Sequence, residues 1–278
     1  MSSFEKEYYE ASTFWSDGAL TDAGNTIRIK ATIDLIPDDV DSLVDVGCGN
    51  GILIHALLSS NTKIKLLGID RSEEALKYVE GNKIIGDIIN IPQPSNSFDC
   101  VSCLQVLEHL PVNVYHLALS ELARVSNKYI IIGVPYREKI EENVTSCPQC
   151  KTIFNVDLHL RSYLDSDIEN LFSKLHFKLI EKVNVVKSKD FLFNIWAQKF
   201  KNNLVPRKNN SDFNSPICPI CGFKNSHYEL QKPLTIVNQS TSFFLSIKNL
   251  VKSSINIFSP KIEKEGYWVI ALYKKRNS

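Results

Sequence analysis

Residues 44–53 read Val44-Asp45-Val46-Gly47-Cys48-Gly49-Asn50-Gly51-Ile52-Leu53. A short strand-like run enters three glycines at alternate positions, and an apolar helical pattern follows at once. Strand, tight turn and helix N-terminus in that order form the place where an α/β sheet holds a nucleotide-like ligand. Outward from this turn the alternation continues. Strands are expected at 42–46, 64–69, 83–85, 98–104, 129–134 and 178–186, with a last one at 267–273. Helices are expected at 23–36, 51–59, 73–79, 112–125 and 165–175. Buried strands alternating with helices predict an α/β chain with a doubly wound, mostly parallel seven-stranded sheet of Rossmann-like form.

The glycine spacing selects the ligand. A dinucleotide fingerprint needs glycines at positions one, three and six, but the glycines here are 47, 49 and 51, and Ile52 occupies the sixth position. No Lys-Ser or Lys-Thr follows, so a phosphate-binding P-loop is excluded as well. An acidic residue followed by G-x-G-x-G, here Asp45 with Gly47, Gly49 and Gly51, resembles the first motif of class I S-adenosylmethionine-dependent methyltransferases.

Downstream residues extend the resemblance in order. Asp70 ends the second strand, 23 positions beyond Gly47, where a carboxylate can accept both ribose hydroxyls. Asp87 matches the acidic residue that in the family takes the adenine amino group, and Ile88 beside it offers a backbone N–H to the ring. Phe98-Asp99 opens strand four, and Leu107-Glu108-His109-Leu110 follows it. The resemblance implies a bound S-adenosylmethionine with Asp45 serving its amino group and the backbone of Gln105 beside its methionine part. Oxygen acceptors often need a base, and His109 is the candidate; the alternative is that Glu108-His109 caps or orients the next loop. His159 and Arg161 are candidates to face the acceptor, and Tyr8, Tyr9, Phe14 and Trp15 form either a flap over the ligand or a helix packed on the body.

Composition sets the outer bounds. The 278 residues are 44% hydrophobic and 23% charged, as in an ordinary globular protein. The net charge of +1 is unevenly spread: residues 187–265 hold 12 Lys or Arg against 5 Asp or Glu (+7), leaving 20 against 26 elsewhere (−6). This pattern predicts an acidic catalytic body with a basic attachment. Residues 1–10 have no basic segment leading into an apolar one, so no secretory signal is expected. The expected compartment is the cytoplasm, where the seven cysteines would be thiols or metal ligands rather than disulfides.

Cys147-Pro148-Gln149-Cys150 and Cys218-Pro219-Ile220-Cys221 each resemble half of a zinc ribbon. The 68 positions from Cys150 to Cys218 far exceed the usual separation of about 15–20. Topology compensates for this, because the two knuckles follow parallel strands and leave the same edge of the sheet. The expectation is one structural zinc ion on Cys147, Cys150, Cys218 and Cys221, with free thiols or a redox pair as the alternative. The ion would staple residues 187–265, as an inserted cap, to a methyltransferase body of residues 1–186 plus 266–278. Within the cap, 191–204 and 242–258 carry apolar stripes at helical spacing. These either pack over the cap or make peripheral contact with the inner face of a membrane. The expected activity is methyl transfer, to oxygen first and nitrogen next, on a small molecule or a glycan- or lipid-linked precursor. Methylation of RNA or protein through the basic insertion ranks below it, since no basic motif interleaved with aromatics is present. A non-catalytic cofactor-binding scaffold is the remaining alternative.

Overall fold

The computed structural model describes residues 9–10, 15, 23–185, 218–223 and 267–276. In chain order these form α1 (Ala23–Asp34), β1 (Ser42–Val46), α2 (Ile52–Ser59), β2 (Lys65–Asp70), α3 (Glu73–Leu76), β3 (Lys83–Ile85), β4 (Phe98–Leu104), α4 (Val112–Val125), β5 (Ser126–Pro135), β6 (Val144–Ser146), β7 (Ile153–Asn155), α5 (Asp165–Asn170), β8 (Phe177–Val185) and β9 (Trp268–Lys275). The main sheet runs β3-β2-β1-β4-β5-β9-β8. β1 to β5 pair in parallel, and β9 lies antiparallel between β5 and β8, so β8 points the same way as β5. The expected mostly parallel, seven-stranded sheet is present.

Side-chain parity along the central strands builds two cores. Val44, Val46, Ile130 and Ile132 face α4 through Val114, Ala118 and Leu122. Leu43 and Ile131 face the other way, onto Leu53, Ile54 and Leu57 of α2 and Ile29 of α1. Strands covered on both faces must be apolar on both faces, which is why β1 and β5 read as near-continuous hydrophobic runs. Cys48, Cys100 and Cys103 are ordinary core residues whose thiols burial pushes well above their usual range.

Three helices stop two or more residues short of their patterns, α1 ending at Asp34 rather than at residue 36. α3 ends at Leu76, and α5 ends at Asn170 before a separate 3-10 turn at Ser173–Leu175. The expected cap at Ser72 is present, its hydroxyl accepting from Ala75 N at 3.0 Å. The hairpin of β6 and β7, three residues per strand, carries the first cysteine knuckle at its turn and was not visible in the hydrophobic pattern. The stripes at 191–204 and 242–258 lie outside the described residues, as does all of the expected cap, residues 187–265, except 218–223. Among the described residues, no helix is long and apolar enough to cross a membrane.

Candidate functional site

The glycine turn is pinned by backbone bonds. Gly47 N and Cys48 N both donate to Ile69 O, at 2.7 and 3.1 Å, and Gly51 N donates to Cys48 O at 2.9 Å. Gly47 has φ +74°, and a Cβ there would lie 2.5 Å from Val106 Cγ2. Gly49 has φ +53°, and its Cβ would lie 2.6 Å from the Trp15 ring. Both positions therefore exclude side chains on conformation and on space.

Asp70 stabilises this turn. One carboxylate oxygen accepts from Gly49 N and the other from Ser72 N, each at 2.8 Å. Burial raises its pKa, and those two N–H groups oppose the rise. Asp45 lies deeper, 3% exposed, with Ser102 Oγ donating to it at 2.7 Å. Burial pushes its pKa up to about 7 against the Ser102 hydrogen bond.

A cleft of about 780 Å³, counting the part open to solvent, runs along the C-terminal ends of β1, β2, β3 and β4. Gly47, Asp70, Asp87, Ile88, Gln105 and His109 line it, with Gly86, Val106, Leu110 and Leu158, while Tyr9, Trp15 and Arg71 close one side. Asp45, Gly49 and Gly51 are not among the lining residues; they shape the turn from behind. Gln105, at φ +57°, donates its backbone N–H to Gly133 O at 2.7 Å, which turns the chain out of β4 into the cleft. Of the flap residues, Tyr9 and Trp15 are described. Trp15 Nε1 donates to Tyr9 O at 2.6 Å, and Ser72 Oγ donates to the same carbonyl at 2.9 Å.

His109, Leu110 and Leu158 line the far end of the cleft, and the rest of the 3-10 turn Leu107–His109 and of the loop after β7 lies behind them. Leu160 N donates to the Glu108 carbonyl at 2.8 Å, joining the two segments. His109 Nδ1 lies 3.4 Å from Leu158 O, and His159 Nδ1 lies 2.6 Å from Glu138 Oε2. The two rings meet edge to face, with centroids 4.8 Å apart. Burial, reinforced by His159, holds the pKa of His109 down at about 3, so it is neutral near pH 7 and a weak base. Burial also works against a charged His159, but Glu138 outweighs it and the net shift is upward. Glu108 is fully buried, neither of its oxygens has a hydrogen-bond partner, and burial raises it to about 7. Neither His159 nor Arg161 is among the residues lining the cleft; Arg161 donates to Leu110 O and stacks 3.8 Å from the Tyr115 ring centroid.

The second expected cluster forms as the topology implied. Cys147, Cys150, Cys218 and Cys221 bring their sulfurs within 4.8 Å of one another, with Cys147 to Cys221 at 3.6 Å and Cys150 to Cys218 at 3.5 Å. None of the four is in a disulfide. Phe154, Phe223 and Leu158 pack around them, and Leu158 also lines the cleft. Arg71 and Glu138 escaped the sequence reading. Arg71 was legible as the neighbour of Asp70, whereas nothing in the sequence ties Glu138 to a histidine 21 residues away.

Residues 44–129 match the family described as "Methyltransferase domain". The chain is 31% identical over 97 residues to a ubiquinone biosynthesis O-methyltransferase of Thiobacillus denitrificans, covering 31% of this chain and 41% of the relative. The chain spans about 40% of the length of the curated relatives it matches first. Among solved structures, an S-adenosylmethionine-dependent methyltransferase from Archaeoglobus fulgidus is 15% identical, with TM-score 0.51 over 91% of this chain and 95% of that one. The [4+2]-cyclase SpnF is 14% identical, with TM-score 0.55 over 95% and 86%. Residues 44–129 thus match a methyltransferase domain, and the chain around them has a fold of Rossmann-like form. The cyclase shows that this fold alone does not fix the reaction.

Asp45 yields a stability prediction. Its pKa is about 7 when folded against 3.8 in the open chain. Between those values the folded chain keeps a proton that the unfolded chain has released, so stability is full below pH 4 and falls as pH rises through 7. Asp45→Asn removes this loss. Thermal melts of the ligand-free protein should show the variant more stable at pH 8, by up to roughly 4 kcal/mol for three pKa units, and no more stable than the parent at pH 4. A gap that does not depend on pH would refute the assignment.

Proposed function

We propose that the protein transfers the methyl group of S-adenosylmethionine to an oxygen of a small molecule or of a glycan- or lipid-linked precursor. The observation that carries this reading is a single cleft with Gly47, Asp70, Asp87 and Ile88 at one end and His109 at the other. Bound S-adenosylmethionine supplies a methyl carbon already activated by its sulfonium. The residues present fit it. Each Asp70 oxygen, having accepted one backbone N–H, keeps a lone pair for a ribose hydroxyl. Asp87 and the backbone at Ile88 stand where the adenine edge is read, and the missing Cβ at Gly47 leaves backbone open to the cofactor. Asp45, behind the turn, acts on the amino group through the field of its carboxylate. Gln105 presents its backbone beside the methionine part, and Tyr9 and Trp15 shield that end from water, which favours in-line transfer. The acceptor then lies against His109. The relatives with ubiquinone O-methyltransferase names support oxygen as the acceptor atom and a small molecule as substrate.

We further propose that the four cysteines hold one structural zinc ion. Four thiolates around zinc at about 2.3 Å would be separated by roughly 3.8 Å, close to the 3.5 and 3.6 Å seen. Such a closed set supplies folding energy rather than catalysis. The ion would tie residues 187–265, as an inserted cap, to the body formed by 1–186 and 266–278. The proposed location is the cytoplasm; the apolar stripes at 191–204 and 242–258 either pack over the cap or touch the inner face of a membrane. Transfer is tested by incubating the purified protein with labelled S-adenosylmethionine and a fractionated cell extract, with calorimetry of cofactor binding alongside. Label should move to a small-molecule or lipid fraction. Cofactor binding with no transfer to any fraction would favour the scaffold reading, and absence of binding would overturn the proposal.

A further inference from the structure

We propose that Glu108, His109 and His159 form a second metal site, for a divalent transition cation that holds the acceptor oxygen at the end of the cleft. One ligand atom from each of the three lies within 4.8 Å of the other two. Two independent features point to a cation there. The first is Glu108, a carboxylate with 0% exposure and no hydrogen-bond donor on either oxygen. A buried carboxyl group left so is costly unless a proton neutralises it or a cation completes it. The second is the orientation of the imidazoles. Leu158 O engages Nδ1 of His109 at 3.4 Å, and Glu138 engages Nδ1 of His159 at 2.6 Å. With a proton on each Nδ1, both rings keep Nε2 as a free lone pair, the arrangement by which metal-binding histidines are fixed in tautomer and direction.

Two imidazoles and one carboxylate suit zinc, manganese or iron(II) and leave coordination positions open, unlike the four-thiolate set. That a cation binds here follows from the three side chains alone; its role rests on the methyl-transfer reading. In that role an acceptor hydroxyl binds the cation, which lowers its pKa, and its proton passes to water. The oxygen forms a bond to the methyl carbon, and the electron pair of the broken sulfur–carbon bond stays on sulfur. This arrangement removes the need for His109 to act as a base.

The test is a titration of the purified full chain, with its cysteine-bound metal retained, by Mn²⁺ followed by electron paramagnetic resonance. One Mn²⁺ per chain should be immobilised and displaced by added Zn²⁺. Glu108→Gln and His159→Ala should each weaken Mn²⁺ at least tenfold, and Glu138→Gln by about 10- to 100-fold. Retained S-adenosylmethionine affinity in Glu108→Gln and Glu138→Gln certifies folding. No immobilised Mn²⁺, or binding indifferent to all three substitutions, overturns the site. Mn²⁺ bound as expected by a protein that transfers no methyl group would instead overturn the activity and leave the site standing.

Discussion

Asp70→Ala should abolish cofactor binding at working concentrations and loosen the glycine turn in the same step. The carboxylate accepts from Gly49 N and Ser72 N at 2.8 Å each. Its loss leaves two buried N–H groups without an acceptor, at about 1–3 kcal/mol apiece. Relief of the buried charge offsets part of this, so a net loss of about 2–4 kcal/mol is expected by denaturant unfolding. Two further hydrogen bonds to the ribose, if worth roughly 3 kcal/mol together, correspond to a fall of about 100-fold in S-adenosylmethionine affinity. Asp70→Asn separates the two effects. It can still accept one N–H, so it should lose less stability while losing a comparable share of affinity. Calorimetry and unfolding on both variants measure each quantity. Undiminished affinity in Asp70→Ala would remove the ribose from this residue.

The second large effect concerns the cysteine cluster. Zinc-finger peptides bind their ion with an apparent 10–16 kcal/mol at pH 7, so losing two of four thiolates should empty the site. Metal analysis should find one zinc per chain in the parent and almost none in a Cys147→Ser, Cys218→Ser double variant. The knuckle turns should open with it. Cys147 N bonds Thr152 O at 2.8 Å and Cys218 N bonds Phe223 O at 3.1 Å, and amide exchange at both positions should speed by orders of magnitude. Because Leu158 packs on the cysteine cluster and lines the cleft, acceptor affinity should fall further than cofactor affinity. A parent protein without zinc, or exchange unchanged by the substitutions, would return the cysteines to the status of free thiols.

Much of the fold was open to sequence reading because strands buried on both faces announce themselves as apolar runs. Five of the nine strands and two helices, β1, β2, β3, β4, β8, α2 and α4, fall within one residue of their predicted bounds or coincide with them. The misjudged elements are those whose ends depend on contacts made elsewhere: α1, α3 and α5 stop early, and the β6–β7 hairpin has only three residues per strand, too few for a period to show. The site divides in a similar way. Glycines that must adopt positive φ, and an aspartate at the end of a strand, leave a local mark, so Gly47, Gly49, Asp70 and Asp87 could be named in advance. His109 could be named too, but its burial, and with it its weakness as a base, could not.

The sequence by itself determined the sheet, its glycine turn and the type of ligand that such a turn accepts, since these follow from local conformation and hydrophobic period. Only the tertiary structure decided what meets across the loops. It brought Cys147 and Cys150 to Cys218 and Cys221, gave His159 its partner in Glu138, and left the Glu108 carboxylate buried without a donor. Such pairings join residues far apart in the chain, and the physical facts that give them meaning, desolvation and the direction of a lone pair, exist only once the chain has closed around them.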